Sequence, residues 1–325
     1  MQRLESGSMK KVLGSITLLY ITAQPVANAQ IELIGIENTN PYISIVDRTN
    51  GTELDFLFLS GAAENFVNAT GLAVHPTTNI VYAVMKLCTG CGPGRSLVTI
   101  DMDTGVTTLV GEMPQPIASL SFHENGTLYG VTGDCSNNCG GAATPETLYT
   151  INTDNAALTF VQALGNGDDG EAIAYNPADG MMYHMSGIDA GLVFEKIHLP
   201  SGTITNIPLS GRVDDVGEAI GFVYDPAADI FYGSLFDWDW GELNFVSITP
   251  SGVIRVIGEA QYAWKDYMMY DFSWEPQQPE AGPRCSSSPF PVICSMSDVS
   301  GNSLPDIGVA LSGSVNVHVR DGLTD

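Results

Sequence analysis

Basic residues are scarce in this sequence. Twelve Lys and Arg stand against 37 Asp and Glu in 325 residues, a formal charge of −25. A surface of that sign repels nucleic acid and anionic lipid, which excludes both as partners, and it suits cations. Long apolar runs are also missing, so a membrane-spanning helix is excluded. No helix-length periodic segment appears in the repeating part of the chain, which argues for strands throughout. Catalytic punctuation is absent: there is no HExxH, no G-x-S-x-G and no Gly-rich loop of phosphate-cradling type. The histidines are dispersed, with His75 and His123 in turns and His184 and His198 on strands. No nucleophile–base pair can be named.

The first residues are read as a leader. Lys10 and Lys11 precede the short apolar core "VLGSITLLYITA", and "ANA" at 27–29 is a small-residue cleavage signal. That is the pattern of a secretory signal peptide, with Met9 as the natural start and residues 1–8 as an upstream extension. The expected mature chain begins at Gln30. It holds 36 acids against 9 bases, a formal charge of −27.

Six cysteines after a leader point to disulfides. They lie in close pairs, Cys88 with Cys91, Cys135 with Cys139 and Cys285 with Cys294. Local pairing is the expectation, although sequence leaves connectivity open. The alternative is a four-cysteine zinc site from "CTGC" and "CSNNC", which occupy the same place in consecutive repeats.

The repeat is the main sequence signal. An apolar run, a polar turn and a Tyr-containing run recur, with Tyr82, Tyr129, Tyr183 and Tyr232 spaced by 47, 54 and 49. Each unit then carries a second hairpin, such as "LVTIDMDTGVTTLV" or "FVSITPSGVIRVI". Alternating apolar residues around tight turns read as antiparallel strands. Four strands per unit of roughly 50 residues predict an all-β fold, a five-bladed β-propeller. An open arc within a ring of six or seven blades is the alternative. A fifth unit is split: "IELIGIEN" and "YISIVDRTNGTELDFLFL" supply three strands at the front. The missing inner strand is expected from "YDFSWEP" (270–276), which aligns Trp274 with Tyr175 and Tyr224. Closing one blade from both chain ends removes exposed edges.

The "AYNPADGMMY" and "IDMDTGVTT" style repeats make residues 31–276 resemble the propeller proteins that many bacteria secrete. The resemblance implies architecture and extracytoplasmic location. It leaves activity open, because one propeller scaffold hosts many functions. The expected organisation is a leader at 1–29, the propeller at 30–276, a Pro/Ser-rich stapled linker at 277–295 and a further element at 296–325.

Function is expected on the face that carries the loops from second to third strands and from blade to blade, because long variable loops on a rigid scaffold host binding. The acids Asp168, Asp169, Glu171, Asp214, Asp215 and Glu218 are placed there, near the central channel. Two or three carboxylates around one hard ion suit calcium or magnesium, and the plain alternative is solvated loop acids. In "FDWDWGE", Asp237, Trp238, Asp239 and Trp240 combine indoles with carboxylates, which suits sugars or an aromatic-rich partner. The leading expectation is a non-enzymatic binding or adhesion module for an extracellular protein or glycan. The competing one is an extracellular metal-assisted hydrolase or lyase using Asp168, Asp214 and neighbours. Paired carboxylates also fit glycoside hydrolysis, but nothing separates acid from nucleophile. A scaffold within a larger secreted chain is a third.

The stretch "DVSGNSLPDI" (298–307) places Asp298, Ser300 and Asn302 at positions one, three and five, the Leu304 carbonyl at seven and Asp306 at nine. Alternating oxygens of this kind suit Ca²⁺, with Gly301 permitting the turn. "IGVAL" and "VNVHV" then read as two strands around "SGS". This part resembles the calcium loop and first hairpin of an FG-GAP repeat, the blade unit of integrin-type propellers. It departs in carrying Ser300 and Asn302 where more acidic versions carry charge. An Asx-rich turn without an ion is the alternative.

Overall fold

The computed structural model describes residues 31–87, 94–133, 144–165, 169–187, 191–211, 217–237, 242–261, 264–272, 293–294, 307–310 and 318–319. The chain forms two compact units, 1–274 and 275–325.

The first unit is a five-bladed propeller. Blade two is built from Asn68–Val74, Val81–Lys86, Arg95–Ile100 and Val106–Met113, from the axis outward. Blade three is Ile117–Phe122, Leu128–Thr132, Thr147–Ile151 and Leu158–Ala163. Blade four is Asp169–Asn176, Met181–Gly187, Val193–His198 and Thr203–Asn206. Blade five is Glu218–Asp225, Ile230–Asp237, Glu242–Ile248 and Val253–Glu259. Neighbouring strands within each blade are antiparallel, as short connections demand. The six- and seven-blade alternatives do not hold.

Blade one is closed by both ends of the propeller, but by a different strand than expected. Its inner strand is Trp264–Asp271, paired antiparallel with Ile31–Glu37 in a register that sets Ile31 opposite Asp271. Tyr42–Val46 and Glu53–Phe58 complete it. The residue equivalent to Tyr175 and Tyr224 is therefore Tyr270, not Trp274. Each of these tyrosines precedes the Asn or Asp that ends an inner strand: Asn176, Asp225 and Asp271. "WKDYMMY" hides its strand because an acid sits where an apolar residue is expected. Trp264, Asp266, Tyr267 and Met268 are nevertheless all buried.

Five apolar clusters fill the five blade interfaces. Ile34, Ile36 and Ile43 of blade one meet Leu72, Ala83 and Met85 of blade two. At the closing interface Leu33 and Trp264 of blade one pack on Phe245 and Tyr232 of blade five. Burial of each large side chain contributes about 1.5–3 kcal/mol. The seam therefore has a core of the same kind as the interfaces formed by consecutive repeats.

One face of the ring is closed by short turns built on a shared device. The side-chain oxygens of Asp47, Asp101, Asn152, Asn176 and Asp225 each accept the backbone N–H two residues on, at 2.8–3.0 Å. His75 and His123 do the same through Nδ1. Such local caps favour tight turns. In several turns the residue four beyond the cap adopts positive φ and donates its N–H back to the capping residue's carbonyl. Gly105 does so at φ 71° and 2.8 Å, and Ala156 takes the same role at φ 60°.

In the second unit, Ile307–Ala310 pairs antiparallel with both Ile293–Cys294 and His318–Val319, with Ile307 opposite Val319. Ile307–Ala310 and His318–Val319 fall within the two strands expected after the Asx-rich stretch, whereas Ile293–Cys294 lies in the stretch expected to be a linker. Among the described residues no helix is long and apolar enough to cross a membrane.

Candidate binding face and channel

Antiparallel blades place their connections on two faces. The turn face carries the first-to-second and third-to-fourth connections, none longer than six residues. The other face carries the second-to-third and blade-to-blade connections. It includes the four longest in the ring, 59–67, 87–94, 133–146 and 207–217. Two of these, 59–67 and 207–217, begin with short strands laid along the outer edges of blades two and five, Ser60–Gly61 and Ser210–Gly211. The long second-to-third connections 87–94 and 133–146 belong to the face on which the binding acids are expected.

Asp169 and Glu171 fall at the start of the inner strand of blade four, and Glu218 opens the inner strand of blade five. These strand starts stand at the mouth of the axis on the long-loop face. The Glu218 carboxylate lies 4.0 Å from Lys265 Nζ on the adjacent inner strand. A base that sequence reading passed over therefore offsets one expected acid, though a pair of this kind contributes little to stability. Asp237 ends the second strand of blade five, with Glu242 directly opposite in register. Asp168, Asp214, Asp215, Trp238, Asp239 and Trp240 lie outside the described residues. So do Cys88, Cys91, Cys135, Cys139 and Cys285, and the calcium set Asp298, Ser300, Asn302, Leu304 and Asp306. Cys294 belongs to the short strand Ile293–Cys294. Among the described residues no three His, Cys, Asp or Glu side chains gather as a metal group would need.

The axis itself holds a residue that sequence reasoning missed. Asp266 is fully buried on the inner strand of blade one. Its Oδ2 accepts the backbone N–H of Leu72 in blade two and of Leu120 in blade three, each at 3.0 Å, and its Oδ1 accepts that of Tyr267 at 3.0 Å. The chemical need is general. An inner strand has no partner on its axial edge, so its N–H groups must find other acceptors. Elsewhere Ser119 Oγ accepts the N–H of Ile173 at 3.1 Å, and Ser121 Oγ that of Tyr175 at 2.9 Å. Side chains of one inner strand thus stitch the next. Burial pushes the Asp266 carboxyl well above its ordinary range, outweighing the N–H bonds that pull it down. Gly221 brings the inner strands of blades five and one together: a Cβ there would lie 2.6 Å from the Lys265 carbonyl oxygen.

A second buried polar pair lies inside blade four. His184 Nδ1 is 3.0 Å from Glu195 Oε1, both side chains are fully buried, and the two residues face each other in register. The alternating pattern of their strands gives no sign of it, because a His and a Glu in a β-hairpin read as solvent-facing.

Cavities open on both faces of the ring among the described residues. One of about 680 Å³ lies on the long-loop side of blade two, with Lys86, Arg95 and Glu112 among its walls. Burial lowers the pKa of the Arg95 guanidinium. Another, about 490 Å³, lies on the turn face, where Arg48 bonds Asp225 at 3.2 Å beside Met269 and Asp271.

No protein-family model matches the sequence, and no curated protein matches it either. Among solved structures, a chain from the nidogen/laminin complex is similar at a TM-score of 0.50 and 13% identity, covering 72% of this chain and 80% of that one. TolB from Acinetobacter baumannii gives 0.46 and 11%, covering 70% of this chain and 53% of that one. A protein from Lactobacillus plantarum gives 0.40 and 13%, covering 71% and 82%. At such identity the first likeness speaks to fold, and the fold it supports is the one the strand pairing displays: this chain is a β-propeller.

Proposed function

We propose that this protein is an extracytoplasmic, non-enzymatic binding module that recognises a protein or glycan through the long-loop face of its propeller. The observation that carries this reading is the asymmetry of the ring. The long second-to-third connections 87–94 and 133–146 belong to one face, while short capped turns close the other. Loops on a rigid scaffold suit recognition, and the indoles of Trp238 and Trp240 beside Asp237 and Asp239 suit the apolar faces and hydroxyls of a sugar or an aromatic-rich protein contact. The leader pattern at 10–29 supports export. The nidogen/laminin structure is by its own description a complex between proteins, a setting in keeping with this role. In this reading Ca²⁺ is held by Asp298, Ser300, Asn302, the Leu304 carbonyl and Asp306.

The test is binding of the chain from Gln30, fluorescently labelled, to a glycan array and to extracellular proteins of the producing cell. A Trp238→Ala, Trp240→Ala double variant and an Asp214→Asn, Asp215→Asn double variant are compared with it. At unchanged melting temperature each should lose the selected ligand. A folded variant of each kind with full binding would remove the long-loop face as the site.

A further inference from the structure

The outer strand of blade one is unlike the other four. In Glu53–Phe58, Leu54, Phe56 and Phe58 are 61, 48 and 63% exposed. Phe56 and Phe58 stand edge-to-face at 5.0 Å, and Tyr42 adds its ring at 5.8 and 6.1 Å. Three large apolar side chains exposed on one edge strand form the kind of patch that marks an interaction site.

The ring also shows what such an edge accepts. Blade two takes a fifth strand, Ser60–Gly61, parallel to Val106–Thr107. Blade five takes another, Ser210–Gly211, parallel to Val253–Ile254. Among the described residues no strand covers the outer edge of blade one. Instead the Phe56 N–H is held by the carboxylate of its own neighbour Asp55, at 2.8 Å. A cation opposite Asp55 would draw the carboxylate away and free the N–H for a strand.

We propose that Glu53–Phe58 is a docking edge for an extended segment of a protein partner, basic and apolar in alternation, which adds to blade one as a fifth strand. Main-chain bonds would supply the affinity and side chains over Phe56 and Phe58 the selectivity. The sign of the partner follows from charge. At −25 a second copy of this chain is repelled, whereas a lysine-bearing segment is attracted and finds Asp55 on the edge. This surface is separate from the long-loop face, and either site can fail without the other.

The probe is an acetylated, amidated octapeptide of alternating lysine and valine, titrated into the full chain, with amide hydrogen exchange to locate it. Exchange should slow within 54–58. A Phe56→Lys, Phe58→Lys double variant should weaken binding by about tenfold or more, as loss of an aromatic anchor does. On the unaltered chain, a peptide N-methylated along its bonding edge should fail to bind, as should one with glutamate for lysine. Equal binding by the N-methylated peptide, or protection elsewhere than 54–58, would overturn strand addition. Equal binding by the glutamate peptide would overturn the charge assignment. Concentration-dependent dimerisation of the free chain, abolished in the double variant, would replace the basic partner with a second copy and so refute the proposal.

Discussion

Asp266 and Leu120 stand 146 residues apart in the chain, yet the carboxylate of one accepts the backbone N–H of the other at 3.0 Å. With the bond to Leu72, a single side chain ties the last inner strand to two of the earlier ones. Asp266→Ala would leave buried N–H groups without an acceptor, so unfolding free energy should fall by about 3 kcal/mol or more. Asp266→Asn keeps an acceptor oxygen and should cost less. The native carboxyl holds its proton above 3.8, the ordinary value, where the unfolded chain has released its own. The contribution of this group is therefore full below about pH 3.8 and falls as pH climbs toward the raised native value. Urea titrations from about pH 4 to pH 7 should show this slope in the parent and lose it in Asp266→Asn. Parallel pH curves for the two proteins would show that Asp266 titrates normally.

The closing strand makes a sharp prediction about truncation. A chain ending at Phe272 retains Trp264–Asp271 and should melt cooperatively, close to the parent. A chain ending at Ala263 exposes the interface of blades one and five and should lose its cooperative transition. Trp264→Ala in the full chain should cost about 3–5 kcal/mol. Equal melting of the two truncated chains would mean the ring does not depend on this strand.

Within blade four, removing one member of the His184–Glu195 pair should be costlier than removing both. His184→Leu and Glu195→Leu singly should each destabilise by about 3–5 kcal/mol, because a buried polar group loses its facing partner. The double variant should recover much of that loss. Additive effects in the double-mutant cycle would show that the two side chains do not act as a pair.

Non-reducing peptide mapping of exported protein should recover Cys88–Cys91, Cys135–Cys139 and Cys285–Cys294, and the mature N-terminus should read from Gln30. Each bond closes a short loop, so reduction should lower stability only modestly. Free thiols together with stoichiometric zinc would establish the four-cysteine metal site instead.

Calorimetric titration with Ca²⁺ should give one site on the intact chain, lost in an Asp298→Ala, Asp306→Ala double variant. Neutral Ser300 and Asn302 place its affinity on the weak side for such loops. Equal uptake by both proteins would remove this loop as the site.

The sequence alone determined the class of fold, the number of blades and the split blade, because these follow from local rules repeated many times. Each hairpin carries its own alternation and turn caps, and the near-regular spacing of Tyr82, Tyr129, Tyr183 and Tyr232 counts the units. The segment that closes the ring was less legible. Asp266 interrupts the apolar pattern of "WKDYMMY", and its burial makes sense only beside the axial N–H groups of Leu72 and Leu120, which no local window contains. The same limit hid the Lys265 partner of Glu218 and the His184–Glu195 pair. Exposure of Phe56 and Phe58 was hidden too, since an apolar residue in a strand reads as core until the ring decides which outer edge stays uncovered. Periodicity is written along the chain. Which polar group is buried, and which apolar one is left in water, was decided only when distant strands met.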